Sequence, residues 1–373
     1  VLLGLIVVIL IVPALLYVPF VQDFVVRIAS EKASEASGMD ISVGKLRLGF
    51  PLKLNVEDIS IVQANADTML TAGGVSASVR LMPLLKGTVD VDGISVRDAF
   101  YQMGNSDSIM WLRARIENGR IDDVDLALKQ NQIVLGRSEI YGADVWMRML
   151  PDTAAVKPDT TASAPWVIDA SFIKLARVNY SMVMQPTIDS LGCYVGEAVL
   201  RNARIDMPHN RIKGQSLRID SVSASYLYPR IAQPAPADSA DAAAPSSTPW
   251  TITADTLRLT GGNALYAVSG ASPQKGLDMS YIKVSDVEIA VDSFYNRGTS
   301  IRVPLRKLSA AERSGLKLFA DGVFAMDERS MRAENFSIET LRSLLRFSAS
   351  MGMGDMMTST DIPISLKATG RID

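Results

Sequence analysis

Leu54–Ile61 reads LNVEDISI, with apolar side chains at Leu54, Val56, Ile59 and Ile61. The spacing is two apolar residues separated by one, a middle pair, then two more apolar residues separated by one. It recurs at Ile41, Val43, Leu46, Leu48; at Val89, Val91, Ile94, Val96; at Ile173, Leu175, Val178, Tyr180; and at Ile282, Val284, Val287, Ile289. On a helix these four offsets point to about 0°, 200°, 140° and 340°, which is no single face. On a strand, a bulge or a two-residue turn at the middle pair returns all four side chains to one side. The middle pairs Gly44 and Lys45, Asp92 and Gly93, and Ser285 and Asp286 suit either device. The expectation is a sheet of many short strands with one apolar and one polar face. From alternation alone, an ordinary β-sandwich core is the nearer reading of such a face, ahead of a ligand groove.

A longer repeat surrounds this pattern. PWVIDASFIKLARVNYSM begins at Pro165 and PWTITADTLRLTGGNALY at Pro249, with a period of about 80 residues. Each copy follows a stretch rich in Ala, Pro, Asp, Ser and Thr, Pro151–Ala164 and Pro229–Thr248. Neither stretch has the apolar content to pack, so both read as flexible loops projecting from the sheet. Repeats of this kind form quasi-linear stacks in which each unit touches mainly its neighbours.

The N-terminus differs in kind. Val1–Gln22 holds no charged residue, and Val1–Phe20 reads VLLGLIVVILIVPALLYVPF. About 20 helical residues cross a hydrocarbon core, and no small-residue cleavage pattern follows Leu16, so an uncleaved membrane anchor is expected. The positive-inside rule would leave the chain after Gln22 outside the cytoplasm. Phe24–Ser37 has helical spacing and ends at Gly38, which suits a connecting helix with a glycine cap.

Composition excludes several classes. One Cys and one His cannot make an intramolecular disulfide or a Cys/His zinc site. A net charge of −2 and a pI near 5.7, with no block of like charge, remove the footprint of nucleic-acid binding. No GxGxxG, GxxxxGK[ST], GxSxG or HExxH occurs. His209 in MPHNR suits a surface turn, and Cys193 in LGCYVG a small strand residue. Asp122, Asp123 and Asp125 suit a solvated strand face, and Met351, Met353, Met356 and Met357 an adaptable apolar surface. Neither an enzyme, a cofactor nor a metal is expected. The mean hydropathy of +0.16 then has two sources, the N-terminal run and the strand face.

Two passages carry a family resemblance, YVPFVQDFVVRIASEKASEASGMDISVGKLRLGFPLKLNVEDISIV and MLTAGGVSASVRLMPLLKGTVDVDGISVRDA. Gly38, the ISVGKLRL strand, Phe50 and Pro51, Glu57 and Asp58 before ISI, and Leu81–Gly87 with Pro83 resemble the N-terminal part of the AsmA-like and TamB family. The Pro-Trp repeats are similar to that family too. The resemblance implies a bacterial inner-membrane protein, single-pass, with its bulk in the periplasm and its repeats forming an elongated antiparallel β groove, a β-taco. It implies phospholipid movement between the two membranes for outer-membrane biogenesis, with acyl chains on an apolar floor. It also implies outer-membrane protein assembly and secretion, as in the translocation and assembly module, through a BamA-like partner met by a C-terminal region not present in this sequence. The chain is therefore expected to be part of a longer protein. The expected layout is an anchor at 1–22, a connecting helix at 23–38, a β domain at 39–150, loops at 151–164 and 229–248, and β repeats at 165–228 and 249–373. The candidate floor residues are Ile41, Val43, Leu54, Val56, Ile59, Ile61, Val89, Val91, Ile94, Val96, Ile282, Val284, Val287 and Ile289. An anchored scaffold with a closed core is a further alternative.

Overall fold

The computed structural model describes residues 19–49, 53–63, 67–80, 90–127, 131–150, 166–184, 188–229, 249–352 and 364–371. Residues 1–18 of the anchor expected at 1–22, the whole of Pro151–Ala164 and all of Pro229–Thr248 but its first residue lie outside them. Helix α1, Pro19–Ser37, carries Asp23, Arg27, Glu31, Lys32 and Glu35. No described helix is long and apolar enough to cross a membrane. It stops where Gly38 takes φ +68° and donates its N–H to the Ser34 carbonyl at 2.9 Å, a C-terminal cap that only glycine adopts without strain.

Apart from a short 3₁₀ turn at Met207–His209, every other regular element among the described residues is a strand, and the chain divides after Arg148. The first unit holds α1 with β1 (Asp40–Gly49), β2 (Lys53–Val62), β3 (Thr68–Val79), β4 (Asp90–Met103), β5 (Met110–Ala127) and β6 (Gln132–Met149, its last residue beyond the division). The second holds β7 (Val167–Met184), β8 (Ile188–Asp206), β9 (Arg211–Tyr228), β10 (Thr251–Val268) and β11 (Tyr281–Arg297), then β12 (Ser300–Glu312), β13 (Lys317–Met326), β14 (Ser330–Glu339), β15 (Leu344–Gly352) and β16 (Ile364–Arg371). Within each unit, strand order in the sheet is chain order. The described pairs are antiparallel except β9 with β10, which run parallel with Arg211 level with Thr251 and Tyr228 level with Val268. A parallel neighbour requires the chain to return along the strand before pairing, so a tight hairpin turn cannot join β9 to β10.

The recurring spacing has a specific backbone cause. In β2, Asp58 adopts φ +54°, while Val43 still pairs with Ile59 and Lys45 with Glu57. One left-handed residue thus resets the alternation with no slip in register, and Glu57 and Asp58 both leave the apolar face. Asp98 (φ +49°), Arg177 (φ +55°) and Ser221 (φ +57°) do the same in β4, β7 and β9, with the register unchanged on either side of each. The expected bulge or two-residue turn is therefore replaced at these places by a single left-handed residue. A true bulge occurs between β10 and β11, where register shifts on either side of Gly262 opposite Val287.

The resets align across neighbouring strands. Gly44 of β1 faces Asp58, Gly73 of β3 lies between Asp58 and Asp98, and Gly196 of β8 lies between Arg177 and Ser221. All strands crossing such a seam must bend at one level, because a bend in one alone would break its ladder.

Each unit is a single layer. Among the described residues, a strand's substantial packing is with its sheet neighbours, and α1 packs on β1. Among the described residues no large side chain is fully buried, and the most buried apolar residues are mostly small, such as Ala72, Ala170, Ala203 and Ala267. The sandwich reading is thus corrected: no second described sheet covers the apolar face. Alternation specifies which side chains share a face but not what lies over it.

Candidate functional site

Side chains directly opposite one another in a ladder stand on one face, so the registers assemble the apolar residues into rows that cross the strands. In the first unit one row is Ile41, Ile61, Leu70, Tyr101 and Ala114, and the next is Val43, Ile59, Ala72, Ala99 and Ile116. Beyond the seam come Leu46, Val56, Val75 and Val96, ending at Gly119, then Leu48, Leu54, Ala77, Ile94 and Ile121, then Val79, Val91 and Val124. Nine of the ten candidates from this unit fall into these five rows; Val89 lies outside the described residues.

In the second unit the longest row runs Leu175, Ala198, Ile219, Leu259, Ile289, Leu308, Ala320, Ile338 and Leu345. Nine strands at about 4.8 Å spacing make it roughly 38 Å long. Val284 sits in a neighbouring row with Tyr180, Cys193, Ala224 and Ala264, and Ile282 in one with Met182, Leu191, Tyr226 and Tyr266. Val287 stands at the bulge. Sequence reasoning missed the small members, Ala72, Ala77, Ala99 and Ala198, since alanine carries little hydrophobic signal. Their positions follow only from the cross-strand register.

Most of these side chains are half-buried. A row of Val, Ile and Leu at intermediate exposure keeps water against part of each methyl surface, and removing that water is worth about 0.8 kcal/mol per methylene. Such a surface favours an apolar occupant with no need for directional bonds.

The opposite face is polar and charge-paired. Lys174 holds Glu197 at 2.7 Å, with Arg218 at 3.3 Å on its other oxygen. The hydrogen bond and charge of Lys174 keep the Glu197 carboxyl below its ordinary range. Asp292 accepts from Arg258 at 2.8 Å and from Arg306 at 2.7 Å, and those two hydrogen bonds depress its carboxyl. Arg80 pairs with both Asp92 and Asp123, and Arg120 with Asp122. Asp123 takes φ +55°, so the simple alternation that would group it with Asp125 is interrupted there.

The reactive residue types are placed as follows. His209 is exposed in the Met207–His209 turn, with Nδ1 2.7 Å from Asp206 Oδ1. Cys193 lies in an apolar row, and burial raises its thiol pKa, away from thiolate chemistry. Among the described residues no group of three His, Cys, Asp or Glu could hold a metal ion. Met351 lies in β15; Met353, Met356 and Met357 fall outside the described residues. No family model, no curated protein and no solved structure matches this chain significantly.

Proposed function

We propose that this chain is a lipid carrier that holds phospholipid acyl chains on the apolar rows while headgroups stay in water, and that it serves outer-membrane biogenesis from an inner-membrane anchor with its bulk in the periplasm. The observation that carries the reading is the single-layer sheet with half-exposed aliphatic rows and, among the described residues, no fully buried large side chain. The row from Leu175 to Leu345, which crosses nine strands without a charged interruption, offers a tail equivalent seats about every 4.8 Å, so movement along it exchanges like for like. The uncharged run Val1–Gln22 supports the anchor, and the resemblance of the first hundred residues to the AsmA-like and TamB family supports the compartment. No residue acts chemically in this mechanism.

Ile94 and Ser95 are adjacent in β4 and stand on opposite faces, Ile94 in an apolar row and Ser95 bonded to Ser76 at 2.7 Å. A photoactivatable residue at each position, irradiated in cells, is expected to give phospholipid adducts at Ile94 and few at Ser95. Absence of lipid adducts at Ile94, or equal yields at both, overturns the proposal.

A further inference from the structure

The polar face of the first unit carries one cluster unlike its surroundings. Trp111 and Arg113 of β5 meet Trp146 and Arg148 of β6. The two indoles are edge to face with centroids 5.0 Å apart. The Arg113 guanidinium lies 4.7 Å from the Trp111 centroid and 4.5 Å from that of Trp146, and Arg148 lies 5.3 Å from Trp111. Register places these residues off the apolar rows: Ala114 pairs with Tyr101 in a row, whereas Arg113 pairs with Gln102.

Elsewhere on this face arginines meet carboxylates. Here Arg113, Arg148 and the neighbouring exposed Arg115 have no carboxylate within ion-pair distance among the described residues, Asp144 of β6 included. Arg148 donates to the Ser106 carbonyl. Three donors, Trp111 Nε1, Arg113 Nε and Arg148 Nε, are screened from solvent with no acceptor among the described residues. Buried donors without acceptors are rare, and here three of the same polarity share one cluster beside two unneutralised positive charges. Stacking on the indoles fixes the plane of Arg113 and leaves its two Nη groups, which have no acceptor among the described residues, as a fork for two oxygens.

We propose that this cluster is a binding site for a phosphate group, with Arg113 and Arg148 as its two charged donors. Three arginines without acids favour a phosphate ester or dianion over a singly charged carboxylate. The phosphate could belong to a lipid headgroup or to a free anion, and the experiment separates the two. The proposal is independent of lipid tails on the apolar rows, which occupy the other face.

The test is tryptophan fluorescence of the full chain in a maltoside detergent, titrated with inorganic phosphate, with dihexanoyl phosphatidic acid and, as a phosphate-free amphiphile, with hexanoyl glycerol. Saturable change with phosphate-bearing compounds, and none with hexanoyl glycerol, is expected. Arg113→Gln should weaken binding about tenfold or more, with an unchanged far-ultraviolet circular dichroism spectrum. Arg148→Gln, at the edge of the stack, should weaken it similarly and serves if Arg113→Gln does not fold. Saturation by inorganic phosphate as strong as by phosphatidic acid assigns a free anion; saturation by the lipid alone assigns a headgroup. No saturable change in the wild type, or equal affinity in the wild type and both variants, overturns the site.

Discussion

Gly44 stands directly across the β1–β2 ladder from Asp58, and a Cβ on Gly44 would lie 2.8 Å from the Asp58 Cβ. The left-handed conformation of Asp58 turns its side chain across the ladder, so the partner strand must present hydrogen there. Gly44→Ala is expected to destabilise the protein by about 1–3 kcal/mol, since the backbone itself must give. Asp58→Ala leaves the Cβ in place and should not rescue it, whereas Asp58→Gly in the Gly44→Ala background should recover most of the loss. A double-mutant cycle by urea unfolding measures this; additive effects in the cycle would show that the two positions do not oppose one another.

The same conformation is tested from the other partner at Asp286 of β11, with φ +53°. Short polar residues and glycine tolerate this region and β-branched residues do not. Asp286→Asn should be near neutral and Asp286→Val should cost about 1–3 kcal/mol. A valine as well tolerated as asparagine in thermal unfolding would mean that the strand passes this point by some other geometry.

Why some of this was legible and some was not follows from the period of each signal. Offsets of zero, two, five and seven across Leu54, Val56, Ile59 and Ile61 are incompatible together with both a helix face and plain alternation, so the β class and the face membership of Leu54–Ile61 could be read from spacing alone. Nothing in that spacing distinguishes a bulge from a left-handed residue, because both take two side chains off the face; Asp, Arg and Ser all serve here. Nor does it say that Gly44 opposes Asp58, which is a cross-strand fact, or that β10 runs parallel to β9. The apolar face of a sandwich and that of an uncovered sheet have the same composition, so the lack of a second layer among the described residues was not in the pattern. Trp111 and Trp146 lie 35 positions apart and signal nothing together until β5 and β6 pair.

Helix α1 closes the outer edge of β1, and one hydroxyl contributes much of that closure. Ser34 Oγ accepts the Ile41 N–H at 2.9 Å, Gln22 donates to the Leu48 carbonyl at 3.4 Å, and Asp23 pairs with Arg47 at 2.7 Å. Edge strands with unbonded backbone groups recruit other strands, so a helix lying along β1 also guards against association. Ser34→Ala is expected to cost about 1 kcal/mol and to raise the exchange rate of the Ile41 amide, with β2 amides unchanged. Unaltered exchange at Ile41 would show that the hydroxyl does not hold this edge.

Asp292 links three strands by accepting from Arg258 of β10 and Arg306 of β12, and its carboxyl is held below the ordinary range by those two hydrogen bonds. A carboxyl depressed in the folded state binds its proton more readily when unfolded, so it stabilises the fold above the unfolded pKa. That contribution is lost as pH falls below about 4 and through the lower folded value. Asp292→Asn should therefore lower Tm by a few degrees at pH 7, modestly because the pairs face solvent, and 1 M salt should shrink the difference. Below the folded pKa the wild-type carboxyl is itself neutral, and the two proteins should unfold at nearly the same temperature. Melting curves from pH 7 to pH 2 decide it: a constant offset between wild type and variant at every pH would mean that Asp292 acts through packing alone and that its charge contributes nothing.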